Sequence, residues 1–476
     1  MGPAVSRGSG NMGRRLAACA LWLAVWQVAS VCVGSTLLLA GPVDTVRSLV
    51  SIVLNGSLLA IAGTTFLRIL GGFLLAFVAS LALGSVASSH PLVSDLLEPG
   101  VAVLKSTPIV CVIVLLLLWL GTGVVPVAVV FLATFPPLYF CVRDSLRQVD
   151  RDLTAFLRVM RVPRWRVTLA HVWPQILPYV IATCRNACGM GWKAGVAAEL
   201  IGTPVPSVGE RVYQAKVLLE TSDLFAWTIV VVLSSFVCER CFLALLRASG
   251  GLATRLALRG LGTSPAPKDD GASPVVTDDL HVRLGERDVL RGLSVDVPAG
   301  GSACMLDPSG AGKTTLVRVL CGFVAPTSGT VAPLGRVSLV EQSPRLVEDL
   351  GALDNVLLCA GRWASGGEAR ALLLQAIPGL DVELPVRSLS GGQRRRVELV
   401  RALLTCSDVV VLDEPFAGLD DAAVEACCSI VRDNIRGRTL LVASHDPRAA
   451  RLLGAKVLAP LSSATPSRET AAVRGR

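Results

Sequence analysis

Charged residues are scarce in this chain of 476 residues: they make up 17% of it, whereas hydrophobic residues make up 52% and the mean hydropathy is +0.60. This balance excludes an ordinary soluble protein. The shortage of charge is uneven, because long apolar runs fill the chain up to about residue 246 and an ordinary soluble mixture follows residue 274. The sequence therefore predicts a membrane domain followed by a soluble domain.

Three further signals are missing. Aromatic residues do not interleave with the basic ones, so the net charge of +9 is better explained by basic cytoplasmic loops, and we expect no nucleic-acid partner. The 14 cysteines are scattered and form no cluster with histidine, so we expect all of them to be small core residues in a reducing compartment. No apolar segment precedes Arg14 and Arg15, so we expect a membrane helix after them, not a cleaved signal peptide.

Six apolar segments are long enough to cross a bilayer, which takes about 20 residues. They lie near 15–38, 57–88, 104–121, 124–146, 172–200 and 222–246. Arginines crowd the stretch 143–166, and basic loops stay in the cytoplasm. The sequence therefore predicts a multi-pass protein of the cytoplasmic membrane, in contact with lipid. Its N-terminus, its 88–103 and 147–171 loops and its soluble domain are expected in the cytoplasm.

Charged side chains inside apolar spans are expensive, and they are functional hypotheses by default. Arg68 and Arg185 fall near the middle of their predicted spans, and Lys193 lies nearer the outer end. We expect these cations to line a path for an anionic solute. The alternative left open is internal pairing that holds the helices together.

The central signal of the soluble half is the strand-like GSACML at 301–306, followed by DPSGAGKTTL at 307–316. An apolar strand that enters a glycine-rich loop and leaves as a helix is typical of a phosphate-binding loop, whose backbone N–H groups hold phosphate oxygens. Lys313 would reach the β and γ phosphates of ATP, and the Thr314 hydroxyl would bind Mg²⁺. The residues expected to contact the nucleotide are Asp307, Pro308, Ser309, Gly310, Ala311, Gly312, Lys313, Thr314 and Thr315.

Asp307 stands where the phosphate-loop pattern has its first glycine. Aspartate is among the residues that best tolerate positive φ, so we expect the backbone to accommodate it. Its carboxylate would repel bound phosphates by about 3 kcal/mol at a separation of ~6 Å. We therefore expect a working site with weaker nucleotide affinity.

Four more motifs follow in order. Gln342 ends an apolar strand and would sense Mg²⁺ and the attacking water. The strand VVVLDEP at 409–415 ends in Asp413, expected to support Mg²⁺, and Glu414, expected to be the general base. The strand LLVASHD delivers His445 to the γ-phosphate side. LSGGQ at 389–393, which lies between Gln342 and the VVVLDEP strand, opens a helix whose N–H groups can hold a γ-phosphate, through Ser390, Gly391, Gly392 and Gln393.

This ordered set resembles the ATPase domain of ABC transporters over about 275–460, and EPFAGLD, ending at Asp420, supplies its D-loop. The segments GTTFLRILGGFLLAF, LKSTPIVCVIVLLLLWLGTG and GWKAGVAAELIG resemble the nitrate/sulfonate/taurine permeases over roughly 50–247. The resemblance implies an all-α six-helix membrane permease domain fused to an α/β P-loop ABC ATPase domain. The expected boundaries are 1–250 for the permease, 251–273 for a flexible linker, 274–461 for the ATPase domain and 462–476 for a polar tail.

Three stretches depart from these families. LTAFLRVMRVPRWRVTLAHVWP resembles the permease coupling loop (150–166), but 155–157 replace its E-A-A motif and Arg161 replaces its glycine. Leu284 stands where the ATPase domain usually has an aromatic residue that stacks on adenine. The arginine-rich run after LSGGQ, 394–401, is expected to be the solvated face of its helix.

The resemblance implies an ATP-hydrolysing importer subunit that uses ATP and Mg²⁺. Each chain supplies one phosphate loop and one LSGGQ, so we expect a homodimer or pairing with a second ABC subunit. A separate extracytoplasmic solute-binding protein is also implied. Nitrate, a sulfonate or taurine is the expected solute; a thiamine-pyrimidine precursor is an alternative. Two other classes remain open: a half-transporter exporting hydrophobic compounds, and a non-hydrolysing partner of another ATPase.

Overall fold

The computed structural model describes residues 9–263, 271–308 and 310–460, and the chain divides into two compact units. The helical unit comprises Met1–Val149 and Gln175–Gly250, and the α/β unit comprises Asp150–Pro174 and Gly251–Arg476. We call Asp150–Pro174 the inserted segment, because it interrupts the helical unit in sequence and belongs to the α/β unit in space. The predicted tail 462–476 and part of the predicted linker lie outside the described residues.

The first part of the chain is helical. Its helices are α1 (Ser9–Val33), α2 (Pro42–Leu54), α3 (Leu58–Ser89), α4 (Pro91–Ser106), α5 (Ile109–Leu120), α6 (Val125–Arg147), α7 (Arg151–Val159), α8 (Arg164–Val167), α9 (Trp173–Gly202), α10 (Val208–Val217) and α11 (Thr221–Leu258). A π-helical turn, Thr168–Val172, joins α8 to α9. Helix α11 continues into the stretch that we expected to be a flexible linker.

Four helical stretches are long and apolar enough to cross a membrane: α3, α6, Arg164–Gly202 and α11. Helix α1 contains a shorter apolar stretch, Ala17–Val33. The apolar segment that we predicted to cross the membrane at 104–121 is not one continuous helix, because α4 and α5 meet there at a bend of 103°. Pro108 explains the break. It has no N–H to donate to the preceding turn, and it holds Thr107 before it in an extended conformation, with ψ of 128°.

Glycine brings α3 and α6 together. A Cβ at Gly72 would lie 2.4 Å from the carbonyl oxygen of Val127, and one at Gly84 would lie 3.0 Å from the Val142 side chain. The two backbones can therefore approach more closely than larger residues would allow. The Ser80 hydroxyl, between the two glycines, donates to the carbonyl of Phe135 at 3.2 Å.

The α/β unit contains two sheets. Their strands are β1 (Val275–Leu284), β2 (Arg287–Val297), β3 (Ser302–Met305), β4 (Ser328–Val331), β5 (Val337–Val340), β6 (Val409–Asp413), β7 (Thr439–Ala443) and β8 (Lys456–Val457). The antiparallel sheet has the order β2-β1-β4, and the parallel sheet has the order β5-β6-β7-β3-β8. Strands β6 and β7 are buried along their whole length, as parallel strands covered on both faces usually are.

Helices pack against the parallel sheet, and their apolar side chains form a buried cluster with it. They are α12 (Lys313–Leu320), α13 (Ala352–Ala360), α14 (Gly366–Ala376), α15 (Gly391–Leu404), α16 (Asp421–Asn434) and α17 (Pro447–Leu453). The apolar side chains of the inserted segment, including Leu153, Phe156 and Leu157, belong to the same buried cluster as strands β1 and β2. The inserted segment is therefore part of the core of this unit.

The prediction that every cysteine is a core residue was wrong for Cys19, Cys32, Cys111 and Cys241, whose side chains are exposed. Inside the α/β unit it agrees with the structure for Cys304 and Cys359. Burial raises the pKa of both thiols to about 11, which keeps them protonated and unreactive.

Candidate nucleotide-binding site

The phosphate loop joins β3 to α12, whose first residue is Lys313. Gly310 and Gly312 have φ angles of +88° and +98°, in the left-handed region that glycine tolerates. A Cβ at Gly312 would lie 2.7 Å from a methyl group of Leu290, so glycine is needed where the loop passes β2. These glycines fix the N-terminus of α12 at the end of the parallel sheet, where ligands of open α/β sheets bind.

A cleft of about 200 Å³ opens at this loop. The residues that line it are Arg287, Val289, Pro308, Gly310, Gly312, Lys313, Thr314, Thr315, Gln342 and Glu414. The fold thus brings most of the predicted loop residues together with Gln342 and Glu414. Ser309 lies outside the described residues, and Asp307 and Ala311 do not line the cleft.

The Lys313 ammonium group is held by partners inside the protein. Its Nζ donates to the carbonyl oxygens of Asp307 and, at 3.4 Å, of Pro308. It also lies 3.7 Å from Oε1 of Glu414. A phosphate that entered the cleft would compete with these partners for the lysine charge.

Asp413, the last residue of β6, is buried, and its Oδ1 has no hydrogen-bond partner among the described residues. Burial raises the pKa of this carboxyl group, and a hydrogen bond with Thr314 partly opposes the rise. A buried carboxylate oxygen without a partner, beside a hydroxyl group, is a donor set that suits Mg²⁺. The residues present therefore fit the predicted Mg²⁺ site of Asp413 and Thr314, with Gln342 in the same cleft.

Glu414 is held in an unusual backbone conformation, with φ of +47°. Its N–H donates to the carbonyl of Ala443 at 2.8 Å, which ties it to the end of β7. Its Oε2 lies 2.9 Å from Nδ1 of His445. Such strain costs about 1–3 kcal/mol and is concentrated at functional sites. The two predicted catalytic side chains are thus in direct contact.

Asp307 and Leu284 are the two positions at which the sequence departs from the family pattern of the nucleotide site. We expected the backbone to accommodate Asp307 because aspartate tolerates positive φ, but that tolerance is not needed: Asp307 is buried and is not among the described residues with positive φ. Leu284, at the end of β1, leaves 47% of its surface exposed and does not line the cleft.

The LSGGQ motif forms the start of α15. Ser390 and Gln393 make a reciprocal capping box: the Ser390 hydroxyl accepts from the Gln393 N–H at 3.3 Å, and the Gln393 side chain accepts from the Ser390 N–H at 2.9 Å. Gly391 and Gly392 are the first residues of the helix. None of these four residues lines the cleft of its own chain.

The rest of α15 is not a solvated surface, which corrects our expectation for 394–401. Arg395, Glu398 and Arg401 are all buried. Glu398 lies 3.2 Å from each of the two arginines. Arg395 donates to the backbone carbonyls of Glu341 and Gln342, so α15 positions the segment that carries Gln342.

The inserted segment contacts the same network. The Arg401 guanidinium lies 4.3 Å from the ring centre of Phe156, the middle residue of the altered E-A-A motif. Asp152 forms an ion pair with Arg345 at 2.9 Å, and the Arg345 N–H donates to Glu398 at 2.5 Å. A continuous set of contacts therefore joins the predicted coupling loop to the backbone of the nucleotide cleft.

Sequence reasoning missed Arg287 and Val289. Both lie on β2 and both line the cleft, and Leu284 pairs directly with Arg287 in the register of β1 and β2. Residues two apart on a strand share a face and lie about 6.6 Å apart, so Arg287 extends the wall formed by Val289 beside Gly312. The sequence offered one hint: Leu284 stands where this family usually has an aromatic residue that stacks on adenine. The hint does not show which residue contacts the base instead.

The three predicted pathway cations have different environments. Arg68 pairs with the fully buried Glu199 at 3.4 Å and donates to the carbonyl of Pro206 at 3.0 Å, the internal pairing that we left open. Arg185 is exposed on α9. Lys193 lines a cavity of about 580 Å³ together with Lys105.

The fold and the cleft define a membrane protein that carries a nucleotide-binding domain of the phosphate-loop class. A family model described as ABC transporter matches residues 290–417, and one described as binding-protein-dependent transport system inner membrane component matches residues 72–249. The chain belongs to the ABC transporter family, with a permease domain and an ATPase domain in one polypeptide.

Named relatives match the ATPase part. The aliphatic sulfonates import ATP-binding protein SsuB of Corynebacterium glutamicum is 34% identical, over 38% of this chain and 76% of that protein. The Nod factor export ATP-binding protein I of Ralstonia nicotianae is 34% identical, over 37% of this chain; this chain spans 60% of the length of that relative. A solved structure, the dimeric MJ0796 bacterial ABC transporter cassette, is 23% identical over 37% of this chain and 90% of its own, with a TM-score of 0.34.

Proposed function

We propose that this protein is an ATP-driven importer that moves a small organic anion across the cytoplasmic membrane. Import is favoured by the match of residues 72–249 to a binding-protein-dependent permease component, which also implies a separate extracytoplasmic solute-binding protein. One relative imports sulfonates and another exports Nod factor, so the relatives by name favour neither direction. The short connection between α3 and α4, the single residue His90, favours import over the long intracellular loops of exporters.

The contact between Glu414 and His445 carries the proposal of hydrolysis. Glu414 accepts a proton from the attacking water, and His445 orients the Glu414 carboxylate from 2.9 Å. Lys313 and the N–H groups at the start of α12 bind the β and γ phosphates. Thr314, Asp413 and Gln342 would hold Mg²⁺, which would supply positive charge to neutralise the phosphate oxygens.

A second ABC subunit, most simply another copy of this chain, completes the site. The predicted γ-phosphate contacts, Ser390–Gln393, do not line the cleft of their own chain. A cleft closed by LSGGQ of the partner would supply those N–H groups, and Asp420 would lie at the same junction.

The cavity that contains Lys193 indicates the chemistry of the solute. It lies where α4 and α5 break, between α6 and α9, and it is lined by Leu104, Lys105, Thr107, Ile109, Val112, Leu132, Ala133, Pro136, Pro137, Met190, Lys193, Ala194 and Ala197. Broken helices mark binding sites in many transporters, and the N-terminal end of α5 carries a partial positive charge. Two lysines in a largely apolar wall suit a short aliphatic anion, such as an alkanesulfonate, better than nitrate or a thiamine-pyrimidine precursor.

Uptake of a labelled short alkanesulfonate by cells producing the transporter tests this proposal. Lys105→Gln and Lys193→Gln should each reduce uptake while ATP affinity stays unchanged, because neither lysine lines the nucleotide cleft. Lys216→Gln, an exposed lysine of α10, is the matched control. Unchanged uptake in both cavity variants, or a loss only in Arg185→Gln, would place the path elsewhere.

A further inference from the structure

A second cationic cavity lies within the α/β unit, away from the nucleotide cleft. Its volume is about 300 Å³, and four arginines line it: Arg161, Arg166, Arg336 and Arg362. The first two come from the inserted segment, and the other two come from the ATPase domain. We call it the arginine cavity.

Three of these four guanidinium groups have no ion pair among the described residues. Arg336 is paired with Asp408 at 3.0 Å. Arg161 donates only to the carbonyl of Gly335, at 3.0 Å, and Arg362 lies over the ring of Trp363. The Nε of Arg166 is buried and finds no hydrogen-bond partner in the part of the chain that the structure describes. No carboxylate from the described ranges lines the cavity itself, and Arg166 is partly withdrawn from water, whereas Arg161 and Arg362 are exposed. A partly buried positive charge without a carboxylate partner is costly unless an anion completes it.

The backbone at Arg161 supports a role for its side chain. Helix α7 ends in a Schellman motif, in which the Val162 N–H bonds to the carbonyl of Leu157 and the Arg161 N–H bonds to that of Arg158. Arg161 occupies the left-handed position of this motif, with φ of +55°. Glycine takes that conformation without strain, whereas arginine does not. This chain therefore keeps a strained arginine at a position where glycine would fold more easily.

We propose that the arginine cavity binds a phosphate-bearing anion that bridges the inserted segment and the ATPase domain. Guanidinium forks match the oxygens of phosphate in paired hydrogen bonds, which favours this group over a simple halide. The lining also contains apolar side chains, including Leu358, Cys359 and Ala360, which would contact the uncharged part of the ligand. The site is independent of the direction of transport and of the solute.

The test uses the full chain in zwitterionic lipid nanodiscs, saturated with a non-hydrolysable ATP analogue so that the phosphate loop is occupied. Inorganic pyrophosphate is the probe, and calorimetry measures its binding. Arg166→Gln and Arg362→Gln should each weaken binding about tenfold, the effect of losing one charge-assisted hydrogen bond. Arg158→Gln, an exposed arginine of α7 outside the cavity, should bind as the natural chain does.

Arg161→Gly separates the ligand from the fold. It should weaken pyrophosphate binding without lowering the thermal unfolding midpoint, since it relieves the strain at φ of +55°. Adding phosphatidic acid to the nanodiscs identifies the source: competition with pyrophosphate indicates a lipid headgroup, and no competition indicates a free phosphate compound. Equal binding by all variants, an equal loss in Arg158→Gln, or no binding of either probe would overturn the proposal.

Discussion

Replacing Glu414 by glutamine should separate hydrolysis from nucleotide binding. The amide keeps the shape of the side chain and loses its ability to accept the proton of the attacking water. General-base catalysis contributes about 10²–10⁴-fold to a rate, so ATP hydrolysis should fall by that factor. The contact of Glu414 with His445 makes this the most direct test of the proposed chemistry.

The structure predicts a second effect of the same change. Glu414 lies 3.7 Å from Lys313, and two unit charges at that distance attract by about 4.5 kcal/mol at an effective dielectric constant of 20. Solvent in the cleft and the carbonyl groups that also hold Lys313 reduce the net effect to about 1 kcal/mol. The freed lysine should therefore bind ATP about fivefold more tightly.

The assay is phosphate release and equilibrium ATP binding by the full chain in nanodiscs. Glu425→Gln removes an exposed carboxylate from α16 and is the control for net charge. Normal hydrolysis by Glu414→Gln would show that Glu414 is not the base. Lost hydrolysis with unchanged or weaker ATP binding would show that the Lys313–Glu414 pair does not oppose the nucleotide.

Three other predictions concern the aspartate of the phosphate loop, the arginine beside the cleft and the orientation in the membrane. Asp307→Asn should tighten ATP binding by about fivefold, because the amide removes the negative charge and the backbone there has no positive φ for glycine to relieve; a gain with Asp307→Gly alone would contradict this. Arg287→Ala should weaken ATP binding several-fold and leave inorganic triphosphate binding unchanged, since its guanidinium would stack on the base; Arg283→Ala is the control, and an equal loss for both ligands would instead indicate a phosphate contact. A reporter at the C-terminus should be cytoplasmic and one near Thr122 external; finding 143–166 accessible from outside would reverse the proposed orientation.

The nucleotide cleft was predictable because its chemistry is local. A glycine loop after an apolar strand, and carboxylates at the end of another strand, meet at one edge of a parallel sheet whatever covers its faces. Lys313, Thr314, Gln342 and Glu414 accordingly line one cleft.

The errors arose where tertiary context decides. The charges of Arg395 and Arg401 indicated a surface, but Glu398 compensates both arginines inside the domain, and sequence alone does not show that pairing. Pro108 looked like an ordinary residue in an apolar run, yet it separates two helices at 103°. Arg287 could not be found, because only the β1–β2 register shows that it lies opposite Leu284.

The inserted segment also constrains the order in which the protein can be made. Leu153, Phe156 and Leu157 leave the ribosome long before β7, whose Leu441 belongs to the same buried cluster. The delay is nearly 290 residues, which is roughly 15–60 s of synthesis at about 5–20 residues per second. During that time the apolar side chains of the segment cannot yet be buried, because β7, which completes their cluster, has not been synthesised. An ATPase domain produced without the segment would leave the matching surface open, so the two pieces are better regarded as one folding unit interrupted by membrane helices.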